Sequence, residues 1–136
     1  MKGSKYRSFT FREAGVSDFQ EIEKLFEREG VSPGWTDWKY LHNPDGQARV
    51  FVAESRADAI VGTMVYMPRH FSIPGKVSVT VMQAVDVYLS ENLRDQHVFL
   101  GLLDFSWQRV SGAKIGLPNE LSAIFASGKS WRVLGN

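Results

Sequence analysis

Residues 84–103 read AVDVYLSENLRDQHVFLGLL. This stretch decides the fold. Its first part continues a run in which Val77, Val79, Val81, Val85 and Val87 recur at every second or fourth position. That is the period of a β-strand. A polar turn follows over residues 90–96, SENLRDQ. Then Val98, Leu102, Phe105 and Val110 fall near the 3.6-residue spacing of a helix. A helix that opens directly after a strand presents N–H groups and the positive end of its dipole. Anionic groups such as phosphate settle at such a place.

Working outward, the flanking chain supplies more strands and helices. Residues 8–14, SFTFREA, alternate, with Phe9 and Phe11 on one side and Thr10 and Arg12 on the other. They predict a first strand. Ser17 predicts a helix N-cap, with Gln20 as its capping-box partner. Phe19, Ile22, Leu25 and Phe26 then form an apolar stripe, and Gly30 closes the helix. Trp35, Trp38, Tyr40 and Leu41 predict a short helix capped by Thr36 or Asp37. The Asn43-Pro44-Asp45-Gly46 turn ends it. These large apolar groups either plug the core or line a ligand cleft.

Residues 49–55 and 60–66 predict the second and third strands, and Phe71-Ser72-Ile73 continues the sheet. Pro74-Gly75 predicts a hairpin turn into the long fourth strand, residues 77–89. Residues 113–117 predict a fifth strand, residues 119–127 a short helix, and residues 131–134 the start of a sixth strand. Hairpins in the middle imply antiparallel pairing. The strand–helix–strand unit from 77 to 117 implies a parallel pair with a right-handed crossover. The expected class is therefore α/β: one domain with a mixed sheet, helices on both faces and a loose terminus over residues 1–7.

Composition narrows the function classes. A chain of 136 residues with 43% hydrophobic side chains is long enough for one real core. Sixteen basic and fifteen acidic residues leave a net charge of +1, so the basic excess typical of nucleic-acid binding is missing. There is no cysteine, which removes thiolate nucleophiles, thiolate metal sites and disulfides. His42, His70 and His97 lie far apart without metal-ligand spacing, so no metal is expected. The opening MKGSKYRS lacks an apolar signal segment, and no apolar run reaches the roughly 18 residues of a membrane span. A soluble, cytoplasmic protein is the expectation.

Several short blocks, in order, then carry a likeness. They are Trp38-Lys39-Tyr40 with Asn43-Pro44 and Gly46; Gln83-Ala84-Val85-Asp86-Val87; Arg94; Val98-Phe99; Gly116-Leu117-Pro118-Asn119-Glu120 with Ser122; and Trp131-Arg132. In these the chain resembles the GNAT family of acyl-CoA N-acyltransferases, from Phe9 to Leu134. The resemblance implies direct attack of an amine on the thioester of acetyl-CoA, or another acyl-CoA, as co-substrate. Backbone N–H groups of the fourth strand would polarise the thioester carbonyl. The pantetheine arm would pair with that strand, and the pyrophosphate would sit on the following turn and helix start.

Carried over to this chain, Val85, Asp86 and Val87 would supply the strand contacts, with Asp86 also the candidate general base. The alternative for Asp86 is a sheet carboxylate facing solvent or paired with a lysine. Arg94, Gln96, His97, Val98 and Phe99 would line the pyrophosphate turn. Asn119 would hold CoA, although an N-cap role also explains it. Trp35, Trp38 and Gln83 are the candidate acceptor-site residues, for a small-molecule amine.

Three departures from the family pattern matter. His97 stands where the turn has a glycine, so a side chain would crowd the phosphate. Asp95 adds a like charge, at a cost of about 1 kcal/mol at 4 Å in water and about 4 at an effective dielectric of 20. Ala123 stands where a thiolate-protonating Tyr is frequent. The chain also ends before the family's last two strands. That predicts either a homodimer that covers the C-terminal sheet edge or a longer parent chain. A non-catalytic binding or interaction module on the same fold is the alternative function.

Overall fold

The computed structural model describes residues 9–28, 30–55, 59–90 and 96–116, the last stretch without the Gln96 side chain. Within them the elements are β1 (Thr10–Glu13), a 3-10 turn (Val16–Asp18), α1 (Phe19–Glu27), a π-helical turn (Asp37–Leu41), β2 (Arg49–Glu54), β3 (Ile60–Ser72), β4 (Ser78–Leu89), α2 (Gln96–Arg109) and β5 (Lys114–Gly116). The five strands form one sheet in the order β1-β2-β3-β4-β5. The first three pairings are antiparallel and β4–β5 is parallel, as the α2 crossover requires. The mixed α/β class and the hairpin read from the sequence are therefore present. The predicted helix over 119–127 and strand over 131–134 lie outside the described residues.

Strand alternation sorts the core into two layers. On one face Val50, Val52, Ile60, Val65 and Met67 pack with Phe19, Ile22 and Leu25 of α1 and with Tyr40. On the other, Phe51, Ala53, Met64, Tyr66 and Leu89 pack with Val98, Phe99, Leu102, Leu103 and Val110 of α2 or its end. Each fully buried aliphatic or aromatic side chain contributes roughly 1.5–3 kcal/mol. Phe9 and Phe11 share the α2 face, as their spacing predicts. Gly101 lets α2 settle there, because a Cβ would stand 2.6 Å from the Phe11 ring.

The ends of α1 refine the sequence reading. Ser17 is not the cap; it lies exposed inside the 3-10 turn. Asp18 stands at the N-cap of α1 instead, without a side-chain bond to the helix N–H groups. Its carboxylate accepts the Gly15 N–H at 2.9 Å and two bonds from the Arg12 guanidinium, at 2.8 and 3.0 Å. A carboxylate that can also meet an arginine outcompetes a neutral hydroxyl for that position. The Arg12 bonds, more than the Gly15 bond, hold Asp18 below the usual carboxylate range. At the other end Gly30 adopts φ +84° while Gly30 N–H meets Glu27 O and Val31 N–H meets Phe26 O, the Schellman pairing expected of a C-terminal glycine.

The valine period identifies β4 as a strand but does not report burial. Val77 and Val79 sit near the tip of the β3–β4 hairpin and are exposed, and Val87 is 41% exposed. The hairpin projects past β2, whose pairing with β3 ends at Arg49–Tyr66. Val77 and Val79 lie beyond that point, whereas Val87 is turned outward at the other end of the strand.

Candidate functional site

The pairing of β3 with β4 breaks at one place. Thr63 pairs with Tyr88 and Val65 with Val85, so the single residue Met64 faces both Asp86 and Val87. This is a β-bulge. Asp86 carries it at φ +50°, the positive-φ non-glycine residue of the described backbone. A left-handed conformation costs an L-residue roughly 1–2 kcal/mol, and Asp tolerates it better than most. Two contacts offset that cost. The buried Thr63 Oγ1 donates to the Asp86 carbonyl at 2.7 Å. The Asp86 carboxylate then accepts Lys39 Nζ on Oδ1 at 2.9 Å and the Tyr40 hydroxyl on Oδ2 at 2.6 Å.

Both donors come from the π-helical turn. Tyr40 is fully buried and stacks edge-on against Phe19 and Trp35, with ring centroids 5.5 and 5.4 Å away. Its phenol is pushed far up, first by burial and then by the Asp86 charge, so it remains a proton donor at every ordinary pH. Lys39 Nζ lies 5.4 Å from the Trp35 ring centroid. The turn is moored to α1 through Thr36. Its backbone N–H and hydroxyl both bond Glu23 Oε2, at 3.1 and 2.6 Å. Thr36 thus occupies the predicted cap position but makes no cap bond there. The hydroxyl bond from Thr36 is the main cause that holds Glu23 below its usual range.

The parallel pairing of β4 with β5 covers Met82–Lys114, Gln83–Ile115 and Ala84–Gly116. Among the described residues it ends two positions before Asp86. The described pairing thus reaches Ala84, and the bulge with β3 follows at Asp86 and Val87. The α1 face at this point carries Gln83, whose Oε1 accepts Arg69 Nε at 2.8 Å, then Val85 and the Asp86 carboxylate.

The residues singled out in the sequence are distributed as follows. Gln83, Val85 and Asp86 gather at the bulge with Val87, whose side chain faces outward. Trp35 packs against the α1-face core, and its Nε1 is buried without a hydrogen-bond partner among the described residues. Trp38 is 62% exposed. His97 is exposed at the start of α2, while the side chains of Val98 and Phe99 enter the α2-face core. Only the backbone of the latter two is thus at the helix start. Arg94, Asp95, Asn119 and Ala123, and the side chain of Gln96, lie outside the described residues. Sequence reasoning allowed Asp86 a lysine partner without naming Lys39, and missed Tyr40 and Thr63. The only signal for Lys39 and Tyr40 is the Trp38-Lys39-Tyr40 block itself. Among the described residues no group of three His, Cys, Asp or Glu is arranged to hold a metal.

No family model matches this sequence, and neither does any curated protein. Solved structures do. A predicted acetyltransferase from Clostridium acetobutylicum, determined with acetyl-CoA, aligns over 92% of this chain and 90% of its own, at 15% identity and TM-score 0.66. Glucosamine-6-phosphate N-acetyltransferase from Arabidopsis thaliana aligns over 94% of both chains at 15% identity and TM-score 0.64. An aminoglycoside antibiotic 6'-N-acetyltransferase from Acinetobacter baumannii aligns over 94% of this chain and 93% of its own, at 12% identity and TM-score 0.64. The chain has the fold of the GNAT acyltransferases, in a form of divergent sequence.

Proposed function

We propose that this protein is an acyl-CoA-dependent N-acyltransferase acting on a small-molecule amine, with acetyl-CoA as the expected co-substrate. The observation that carries the reading is the bulge at Asp86 in β4, which turns a carboxylate toward the α1 face. An extended pantetheine arm would pair along β4. The acyl carbonyl would be polarised by N–H groups of the Val85–Val87 backbone. The acceptor amine would give its proton to Asp86 and attack the thioester carbon. The pyrophosphate would lie at the start of α2, near Arg94, Gln96 and His97, with Asn119 a further CoA contact. Trp38, exposed beside Lys39, and Gln83 would border the acceptor, with Trp35 behind them.

Calorimetry with acetyl-CoA tests this reading. The expected result is measurable heat together with a rise in Tm. Absence of both at millimolar ligand would overturn it. One observation favours a second reading, a non-catalytic binding module: both carboxylate oxygens of Asp86 are already engaged, by Lys39 and Tyr40. Acetyl-CoA binding without release of free CoA in the presence of any amine of a broad panel would favour that module. A homodimer through the β5 edge is part of the proposal. Light scattering should then report twice the 15.3 kDa of one chain.

Among the described residues no helix is long and apolar enough to cross a membrane.

A further inference from the structure

The bulge already holds an amine. Lys39 Nζ is 2.9 Å from Asp86 Oδ1, the oxygen that would take the acceptor's proton, and its side chain is 27% exposed. Tyr40 fixes the other oxygen, Oδ2, so the carboxylate cannot swing away. The Trp35 ring limits the lysine on a further side. Lys24 and Lys76, by contrast, stand exposed, and among the described residues neither forms an ion pair.

We propose that Lys39 is itself an acyl acceptor, so that the protein acylates its own π-helical turn from the thioester of acyl-CoA. The inference rests on the acyltransferase reading and adds a modification site to it. The Lys39 ammonium gives one proton to Asp86 and Nζ attacks the thioester carbonyl carbon. The C–N bond forms and the C–S bond breaks. The leaving thiolate takes the second proton released by the nitrogen, and Asp86 returns the first to water. The products are an amide on Lys39, free CoA and one proton. No oxidant, metal or second protein is required. Proximity favours the step, because the amine and its base are positioned before the acyl donor arrives. Acylation removes the lysine charge. The Asp86 carboxylate then keeps Tyr40 but loses its ion pair, and becomes available to an incoming ammonium.

The test is to incubate the purified full chain with acetyl-CoA and map acetyl groups by mass spectrometry over time, with Lys24 and Lys76 as internal references for spontaneous reaction. Acetyl-CoA binding is followed in parallel by thermal shift. The expected result is one acetyl group appearing first on Lys39, at least about tenfold faster than on either reference lysine. Excess unacylated CoA should suppress the Lys39 reaction and leave the references unchanged. Asp86→Asn keeps a residue that tolerates positive φ and should slow Lys39 acylation by at least about tenfold when compared at saturating acetyl-CoA, with saturation read from the thermal shift. Binding without preferential acylation of Lys39 would overturn this inference and leave the acyltransferase reading standing. Absence of binding would overturn both. Equal rates in wild type and Asp86→Asn would also overturn it.

Discussion

Among the described residues each face of the sheet buries one tyrosine, and the two tyrosines live in different chemistry. Tyr66, on the α2 face, bonds Ser106 Oγ at 2.9 Å and lies 3.4 Å from Met64 Sδ. Ser106 in turn reaches the Leu103 carbonyl at 3.0 Å. That network is neutral, closed and wholly buried. Tyr40, on the α1 face, bonds a carboxylate that also carries a partly exposed ammonium. Burial raises both phenols. Only Tyr40 is raised further by a neighbouring charge, and only its hydrogen bond is charge-assisted. The comparison separates a polar group that completes a core from one that holds a partly exposed ion pair in place. The charged side of the sheet is the one facing α1 and the π-helical turn.

The largest expected effect comes from breaking the charged side. Asp86→Val places a β-branched residue at φ +50° and strands the Tyr40 hydroxyl and Lys39 Nζ. Strain of about 1–2 kcal/mol and an orphaned buried donor at about 1–3 kcal/mol should together lower urea stability by about 2–5 kcal/mol. Tyr40→Phe should cost about 1.5–3 kcal/mol, because it removes a bond to a charged acceptor. Tyr66→Phe should cost only about 0.5–1.5 kcal/mol. If the two tyrosine variants lose the same stability in urea melts, the distinction between the faces fails.

Acid should sharpen the contrast further. Glu23, which moors the π-helical turn, and Asp18 and Glu13, beside Arg12 and Arg49, all sit below their usual range when folded. A depressed folded pKa contributes stability that is complete above the unfolded value, about 4, and is lost as pH falls through the folded value. Urea midpoints should therefore hold from pH 7 to about 5 and decline below about 4. Thr36→Val removes the leading cause of the Glu23 shift and should flatten part of that decline. The smallest effect belongs to the exposed Arg49–Glu13 pair at 2.8 Å. Arg49→Met should cost at most about 1 kcal/mol through that pair, and molar salt should reduce the loss.

Much of this architecture is legible in the chain. The stripe Phe19, Ile22, Leu25, the strand over residues 49–55, the Pro74-Gly75 hairpin and the crossover through α2 are local patterns, and each appears where the pattern puts it. Asp86 is also named by its place in the sequence, but its geometry is not. The positive φ depends on Thr63, 23 residues away, and on Lys39 and Tyr40, 47 and 46 residues away. No window of local spacing contains those partners. Ser17 misleads for a related reason. Its cap propensity is real, but Arg12 rewards the neighbouring Asp18 instead.

The bulge also acts as a parity switch along β4. Before it, odd-numbered Val85 turns to the α1 face and even-numbered Met82 and Ala84 to the α2 face. After it, even-numbered Tyr88 belongs to the α1 face and odd-numbered Leu89 to the α2 face. One extra residue therefore divides the strand into two reading frames. Deleting one residue between Val85 and Tyr88 would restore a uniform pleat while Tyr88 and Leu89 keep their present layers and partners. The extra residue is needed by the Asp86 site and by neither core.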